Sequence, residues 1–251
     1  MSLAIFEKLL VNKELESWYR DAEERSRVQK VNRHDKLHAL TVVKHSLQMF
    51  EILKKEKKLK TRGLPIPGVR PYEDSLIIIL VSAYCHDLSR GFSSHSEKAL
   101  QMLIPIFRES GFSDDLLKSL QLPIMHCVEK HGGDQKADFP EEGILMLADG
   151  ADCSKDRTQP GLNDIDALKS LSKKKSPIHY FSCRAIKAVS ILAGTNRKPL
   201  LFSFELDGGA AAFHLEDFIK RLSNSTMEGM VRAQVIWKKR KILIWPCRAN
   251  G

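Results

Sequence analysis

The chain has 251 residues, 43% of them hydrophobic and 28% charged, with a formal net charge of +9; this balance supports a buried core and excludes a disordered polyelectrolyte. The longest apolar run, Leu76 to Val81, is too short to span a bilayer, so no membrane association is expected. The N-terminus lacks the segments of a secretory signal, and five scattered cysteines without a CxxC pair read as free thiols, so a cytoplasmic setting is expected.

In chain order, Leu40, Val43, Leu47 and Phe50 recur at helical spacing and predict a helix over residues 37–53. Gly63 to Gly68, with Pro65 and Pro67, predicts a loop. Asp74-Ser75 can cap the next helix, which holds the apolar run and ends near Cys85-His86-Asp87. Residues 96–108 predict another helix, Ser113-Asp114-Asp115 caps the next, and residues 122–130 predict a further one stopped by Gly132-Gly133. Residues 141–152 follow Pro140 as a helix. Beyond residue 176 the texture changes. Residues 185–192 and 199–206 read as strands around a turn at Gly194 to Arg197, residues 215–222 as a helix, and residues 231–237 and 242–245 as strands around a basic turn. The expected architecture is mainly α: a helical domain over residues 1–175, then a small α+β domain over 176–251.

Positive charge gathers at Lys54 to Lys60, at Lys173 to Lys175 and at Lys238 to Lys241. The excess favours anionic partners, either phosphorylated metabolites or nucleic acid. No helix-turn-helix or RNA-binding motif accompanies it, so nucleic acid is unsupported by motif.

The chemistry centres on His86-Asp87. A second His-Asp pair occurs at His34-Asp35, so the dipeptide alone carries little weight. His86-Asp87 differs in following a continuous apolar run, which places it at the buried end of a core helix. An ionised Asp is costly to bury without a partner, and a metal ion stabilises both side chains. Imidazole and carboxylate ligands suit zinc, manganese or iron. Further ligands must come from elsewhere. His38 lies on the preceding amphipathic helix, Asp149 interrupts the apolar segment Leu145 to Ala151, and His95, His126 and His131 lie between. His34, four residues before His38, reads as structural or substrate-facing; His45, His179 and His214 read as structural.

The order His38, His86-Asp87, Asp149 resembles the H…HD…D signature of the HD-domain metal-dependent phosphohydrolase superfamily. The segments Asn32 to His38, Ser94 to Glu97, Ile124 to His131, Ala148 to Asp152 with Arg157, and Ile178 to Ser182 are similar to a prokaryotic, largely archaeal branch with a C-terminal α+β extension. The resemblance implies an HD-domain helical bundle in which His38, His86, Asp87 and Asp149 bind a first ion. It implies His95 and His131 at a second ion bridged by Asp87, with His126 as an alternative. It also implies hydrolysis of a nucleotide or other small phosphoester by metal-activated water. The ion can be Mn, Fe, Zn, Co, Ni or Mg, and one or two can bind. Asp87, Glu97 and Asp152 are the candidates for catalytic acid–base work, and Arg157, Lys130 and Lys155 for holding phosphate. A non-catalytic HD-fold regulatory module that binds a nucleotide or another anion is the alternative, and a homo-oligomer through the C-terminal portion stays open.

Overall fold

The computed structural model describes residues 2–29, 32–59, 71–88, 103–158, 161, 163–169 and 178–246. Helices α1 (Ser2–Leu10), α2 (Lys13–Gln29), α3 (Lys36–Lys55) and α4 (Pro71–Cys85) are followed by a helical segment α5 over 103–109. Then come α6 (Asp114–Lys130), α7 (Pro140–Ala151), a 3₁₀ turn at Lys155–Arg157, α8 (Asp164–Lys169) and α9 (Ile178–Arg184). A four-stranded sheet closes the chain: β1 (Ile186–Thr195), β2 (Lys198–Leu206), β3 (Val231–Trp237) and β4 (Arg240–Trp245), with α10 (Ala212–Asn224) between β2 and β3. The protein is therefore mainly helical with a small C-terminal sheet. The expected division near residues 175 and 176, the basic run Lys173 to Lys175 and the loop Gly63 to Gly68 lie outside the described residues. None of the described helices is long and apolar enough to cross a membrane.

Helix α4 is apolar on nearly every side, and Ile77 to Val81 are at most 1% exposed. A helix without a polar face is stable only when wrapped. Here α1, α3, α6 and α7 surround it. Helix α3 is amphipathic and buries Ala39, Val42, Val43, Ser46, Met49, Phe50 and Leu53, a stripe at helical spacing. Its start is set by Asp35, whose Oδ1 accepts from the His38 backbone N–H at 3.0 Å.

Two helix boundaries differ from expectation. Helix α4 begins at Pro71, whose missing N–H is harmless in a first turn. Asp74 and Ser75 thus lie inside the helix, where the Ser75 hydroxyl donates to Glu141 and ties α4 to α7. Residues 122–130 are not a separate helix. The one helix α6 runs from its Ser113 cap through Pro123 to Lys130. Proline removes one intrahelical hydrogen bond, but Pro123 is buried beside Leu120, Ile124 and Cys127, and that packing keeps the helix continuous.

The sheet order is β1-β2-β3-β4, with β2 and β3 parallel and the outer pairs antiparallel. A parallel pair needs a crossover, and α10 supplies it. Phe218 of α10 sits 4.9 Å from the rings of both Phe202 and Phe204 of β2. Buried side chains from α1 through α7 and from β1, β2, β3 and α10 form one continuous core. At the β3–β4 turn, Lys238 and Lys239 both have positive φ, 49° and 65°. This is the two-residue hairpin turn that normally selects Asn or Gly, and each Lys there costs about 1–2 kcal/mol in backbone strain.

Truncating Phe218 to Ala should lower stability by about 3–5 kcal/mol. The melting temperature should then fall by roughly 6–20 °C in a thermal melt.

Candidate metal centre

Four helix ends converge. His38 is in the first turn of α3, His86 and Asp87 follow the last residue of α4, and His131 follows α6. Asp149 is in the last turn of α7, and Asp152 caps that helix. Helix ends leave backbone groups without intrahelical partners, and here side chains use them. His86 Nδ1 donates to the Ala83 carbonyl at 2.9 Å, and His131 Nδ1 donates to the Val128 carbonyl at 2.5 Å. His38 Nδ1 donates to Asp152 Oδ2 at 2.7 Å. In each ring the Nδ1 proton is committed, so Nε2 of the neutral imidazole offers a lone pair.

Those lone pairs meet. His38 Nε2 and His86 Nε2 are 3.0 Å apart. Asp87 Oδ2 lies 3.2 Å from the first and 3.3 Å from the second. Asp149 Oδ1 lies 3.3 and 3.6 Å from the same two atoms. Four electron-pair donors therefore face one another in a site where His38 and His86 are each 2% exposed. Without a proton or a metal ion between them the arrangement is repulsive. The donor set of two nitrogens and two oxygens fits a divalent transition metal. His131 Nε2 approaches the other Asp87 oxygen at 3.8 Å, so His86, Asp87 and His131 form a second group able to hold an ion.

Positive side chains offset the carboxylates from outside. Arg221 Nη1 donates to Asp149 Oδ2 at 2.9 Å and to the His131 carbonyl at 2.8 Å. Arg157 Nη1 donates to Asp152 Oδ2 at 3.2 Å, and Arg157 Nε donates to the Arg33 carbonyl at 2.6 Å. The Arg33 N–H returns a bond to the Arg157 carbonyl at 2.9 Å, which pins residues 32–35 against the 3₁₀ turn. Three carboxylates thus face two guanidinium groups, and a cation is needed to balance them before any imidazole is charged.

The proton affinities follow from this crowding. Burial opposes charge on His86, yet Asp87 and Asp149 outweigh it and raise its pKa to about 10. Burial and Arg157 oppose charge on His38, but hydrogen bonds to Asp149, Asp152 and Asp87 raise it overall. Burial works to raise Asp87, but charge on His34 and His86 and hydrogen bonds from His34 and His38 hold it well below the usual carboxylate range. Asp149 is held low in the same way, chiefly by Arg221. Burial and the neighbouring His86 lower His131, so it is the neutral member of the group.

The structure brings together His38, His86, Asp87, Asp149 and His131 from the expected ligands, with Asp152 behind His38. Arg157 is adjacent but only 8% exposed. His126 is turned away, with Nδ1 3.7 Å from Glu142 Oε1. Lys130 pairs with Asp138 at 2.5 Å and with Glu142 at 3.3 Å, and Lys155 is exposed. His95 and Glu97 lie outside the described residues. His45 bonds the Ala148 carbonyl at 3.4 Å and His214 the Gly150 carbonyl at 3.1 Å, which ties both to backbone. Cys85, Cys127, Cys153 and Cys183 are buried free thiols. Burial pushes the thiols of Cys85, Cys153 and Cys183 up, away from the reactive thiolate.

Two contributors escaped the sequence. His34 precedes α3, yet its Nδ1 lies 2.6 Å from Asp87 Oδ2 and 3.2 Å from Arg157 Nη2. His34, His38 and Asp87 make a further group able to hold an ion. The clue was Asp35, three residues before His38: read as an N-cap rather than as half of a rival His-Asp pair, it puts His34 at the helix mouth. Arg221 left no comparable signal. Its stem passes between two glycines. A Cβ on Gly133, where φ is +79°, would come within 2.5 Å of Arg221 Cγ, and one on Gly150 within 2.7 Å of Arg221 Cδ.

No family model and no solved structure matches the chain. It is similar to the uncharacterized protein MJ1020 of Methanocaldococcus jannaschii, at 24% identity over 229 residues, covering 86% of this chain and 81% of that protein.

Because a metal must displace the proton on His86, binding should release protons and strengthen with pH. The raised His86 pKa stabilises the metal-free fold fully below pH 6.5, and that contribution is lost as pH rises through about 10. The gain in melting temperature on adding zinc or manganese should therefore be larger at pH 8 than at pH 6; an equal or opposite trend counts against proton–metal exchange. Replacing Arg221 with Lys should weaken metal binding by roughly 10–100-fold in a chelator competition, while far-ultraviolet circular dichroism stays that of the parent.

Proposed function

We propose that the chain is a metal-dependent phosphohydrolase of the HD type, acting on a nucleotide or another small phosphoester. One observation carries the reading: His38 Nε2, His86 Nε2, Asp87 Oδ2 and Asp149 Oδ1 converge with neighbouring separations of 3.0–3.6 Å, in the order that the HD signature has them in the chain. The presence of Lys and Arg in excess, at a net charge of +9, suits an anionic substrate.

In this reading those four atoms hold the ion. A bound divalent ion supplies an acidified water and neutralises charge on a phosphate oxygen. The protein does the rest. Asp152 and the Ala83 carbonyl keep both imidazoles in the tautomer that presents Nε2. Arg221 fixes Asp149 Oδ2, so that Oδ1 faces the histidines. His131, kept neutral by burial and by His86, either joins Asp87 at a second ion or accepts a proton there. The candidates for phosphate contact remain Arg157, Lys130 and Lys155, and those for acid–base work Asp87, Glu97 and Asp152.

The depth of the centre favours a second reading. With His38, His86, Asp87 and Arg157 all below 9% exposed, the same ligands suit a metal that orders a regulatory module without turnover.

The first test is elemental. His86→Ala and Asp87→Ala should each remove most of the transition metal that co-purifies with the parent; unchanged metal content sinks the ligand assignment. The second separates the two readings. The metal-loaded protein, screened against nucleotides and phosphorylated metabolites with manganese, cobalt, nickel or magnesium, should release phosphate from at least one. Full metal occupancy with no release anywhere supports the regulatory module.

A further inference from the structure

The metal centre does not use the β3–β4 hairpin, although the hairpin is built at a cost. Residues 237–243 are all exposed. Trp237 and Arg240 are cross-strand partners that close the turn, and Lys238 and Lys239 form its tip. Both tip residues hold the left-handed backbone that Asn-Gly would adopt more cheaply. Among the described residues, Lys239, Arg240 and Lys241 have no ion-pair or side-chain hydrogen-bond partner. The Lys238 ammonium lies over the Trp237 ring, 5.7 Å from its centroid. Four consecutive cations, with no carboxylate partner among the described residues, thus follow directly on an indole that is 39% exposed.

We propose that this hairpin is a docking point for single-stranded nucleic acid, with Trp237 stacking on a base and Lys238, Lys239, Arg240 and Lys241 meeting the phosphates. Each feature has a counterpart in that ligand. An exposed indole offers a flat face to any base, and unpaired cations beside it replace condensed counterions on the backbone. Arg240 shares a sheet face with Trp237 as its cross-strand partner, so a guanidinium flanks the stacking plate. An anionic membrane fits less well. By the register, Trp237 shares its sheet face with Arg240 and Ile242 while Leu243 points to the other face, so the surface available for insertion is two apolar side chains with a guanidinium on the same face. A duplex would leave the indole without an accessible base face. The inference stands whether or not the metal centre hydrolyses phosphoesters.

The test uses the full chain and a fluorescein-labelled mixed-sequence oligonucleotide of about 20 nucleotides, as RNA and as DNA, with fluorescence anisotropy read over a salt series. The parent should bind with an affinity that falls linearly on a log–log plot against salt. Lys238→Asn combined with Lys239→Gly removes two charges while giving the turn its preferred residues. This variant should bind about tenfold more weakly at low salt, with a slope shallower by about 1.4, and should melt no lower than the parent. Trp237→Leu should weaken binding by about tenfold with the slope unchanged. No binding by the parent overturns the proposal. So does unaltered affinity in both variants. Equal or tighter binding to phosphatidylserine vesicles, with the same sensitivity to the variants, assigns the hairpin to a membrane surface instead and also overturns it.

Discussion

Two imidazole nitrogens, each with its sister nitrogen already donating elsewhere, sit 3.0 Å apart beside two carboxylates in a nearly dry interior. The mutual repulsion of these donors calls for a positive charge at that point. Desolvated donors of this kind repel one another unless a cation or a proton lies between them. The helices are arranged so that their ends, rather than their middles, reach this place. Ends carry unpaired carbonyls, and these hold the rings from behind. The apolar α4 serves as the pillar that brings His86 and Asp87 to the convergence, and α3, α6 and α7 wrap it because it has no face fit for water.

The centre draws on two parts of the chain. Its candidate ligand atoms come from the first 152 residues, while the guanidinium groups that hold them come from the turn at Arg157 and from α10 at Arg221. Oriented ligands commonly depend on such outer partners as much as on the inner ones. The small sheet is thus more than an appendage: its crossover helix brings Arg221 to Asp149 and to the carbonyl of His131 at once.

Much of this was legible beforehand, for identifiable reasons. Helix α3 announced itself by periodicity, and the strands by β-branched and aromatic runs broken by Gly194 and by the basic turn. His86 and Asp87 stood out because they follow directly on an apolar run, and Asp149 because it interrupts one, and at such places an ionisable side chain needs a partner. Periodicity carries no information about tertiary approach, and there the reading ended. Nothing in the local sequence links Arg221 with Asp149, 72 positions earlier. The helix starting at Ser113 and the one expected over residues 122–130 are a single helix, because buried packing around Pro123 carries α6 through a residue whose local penalty is to break helices. His34 was hidden by its neighbour. Asp35 mimics the other half of a metal motif, but its oxygen is spent on the His38 backbone N–H.

The path of Arg221 between Gly133 and Gly150 also has a bearing on biogenesis. During synthesis every ligand of the inner set leaves the ribosome well before α10 does. A nascent chain therefore passes through an interval in which Asp149 and the histidines are present but the guanidinium that holds Asp149 is still in the exit tunnel. Until α10 seats, Asp149 lacks the guanidinium that fixes its Oδ2, so the donor group able to hold an ion reaches its finished geometry only once the crossover helix of the sheet has been made.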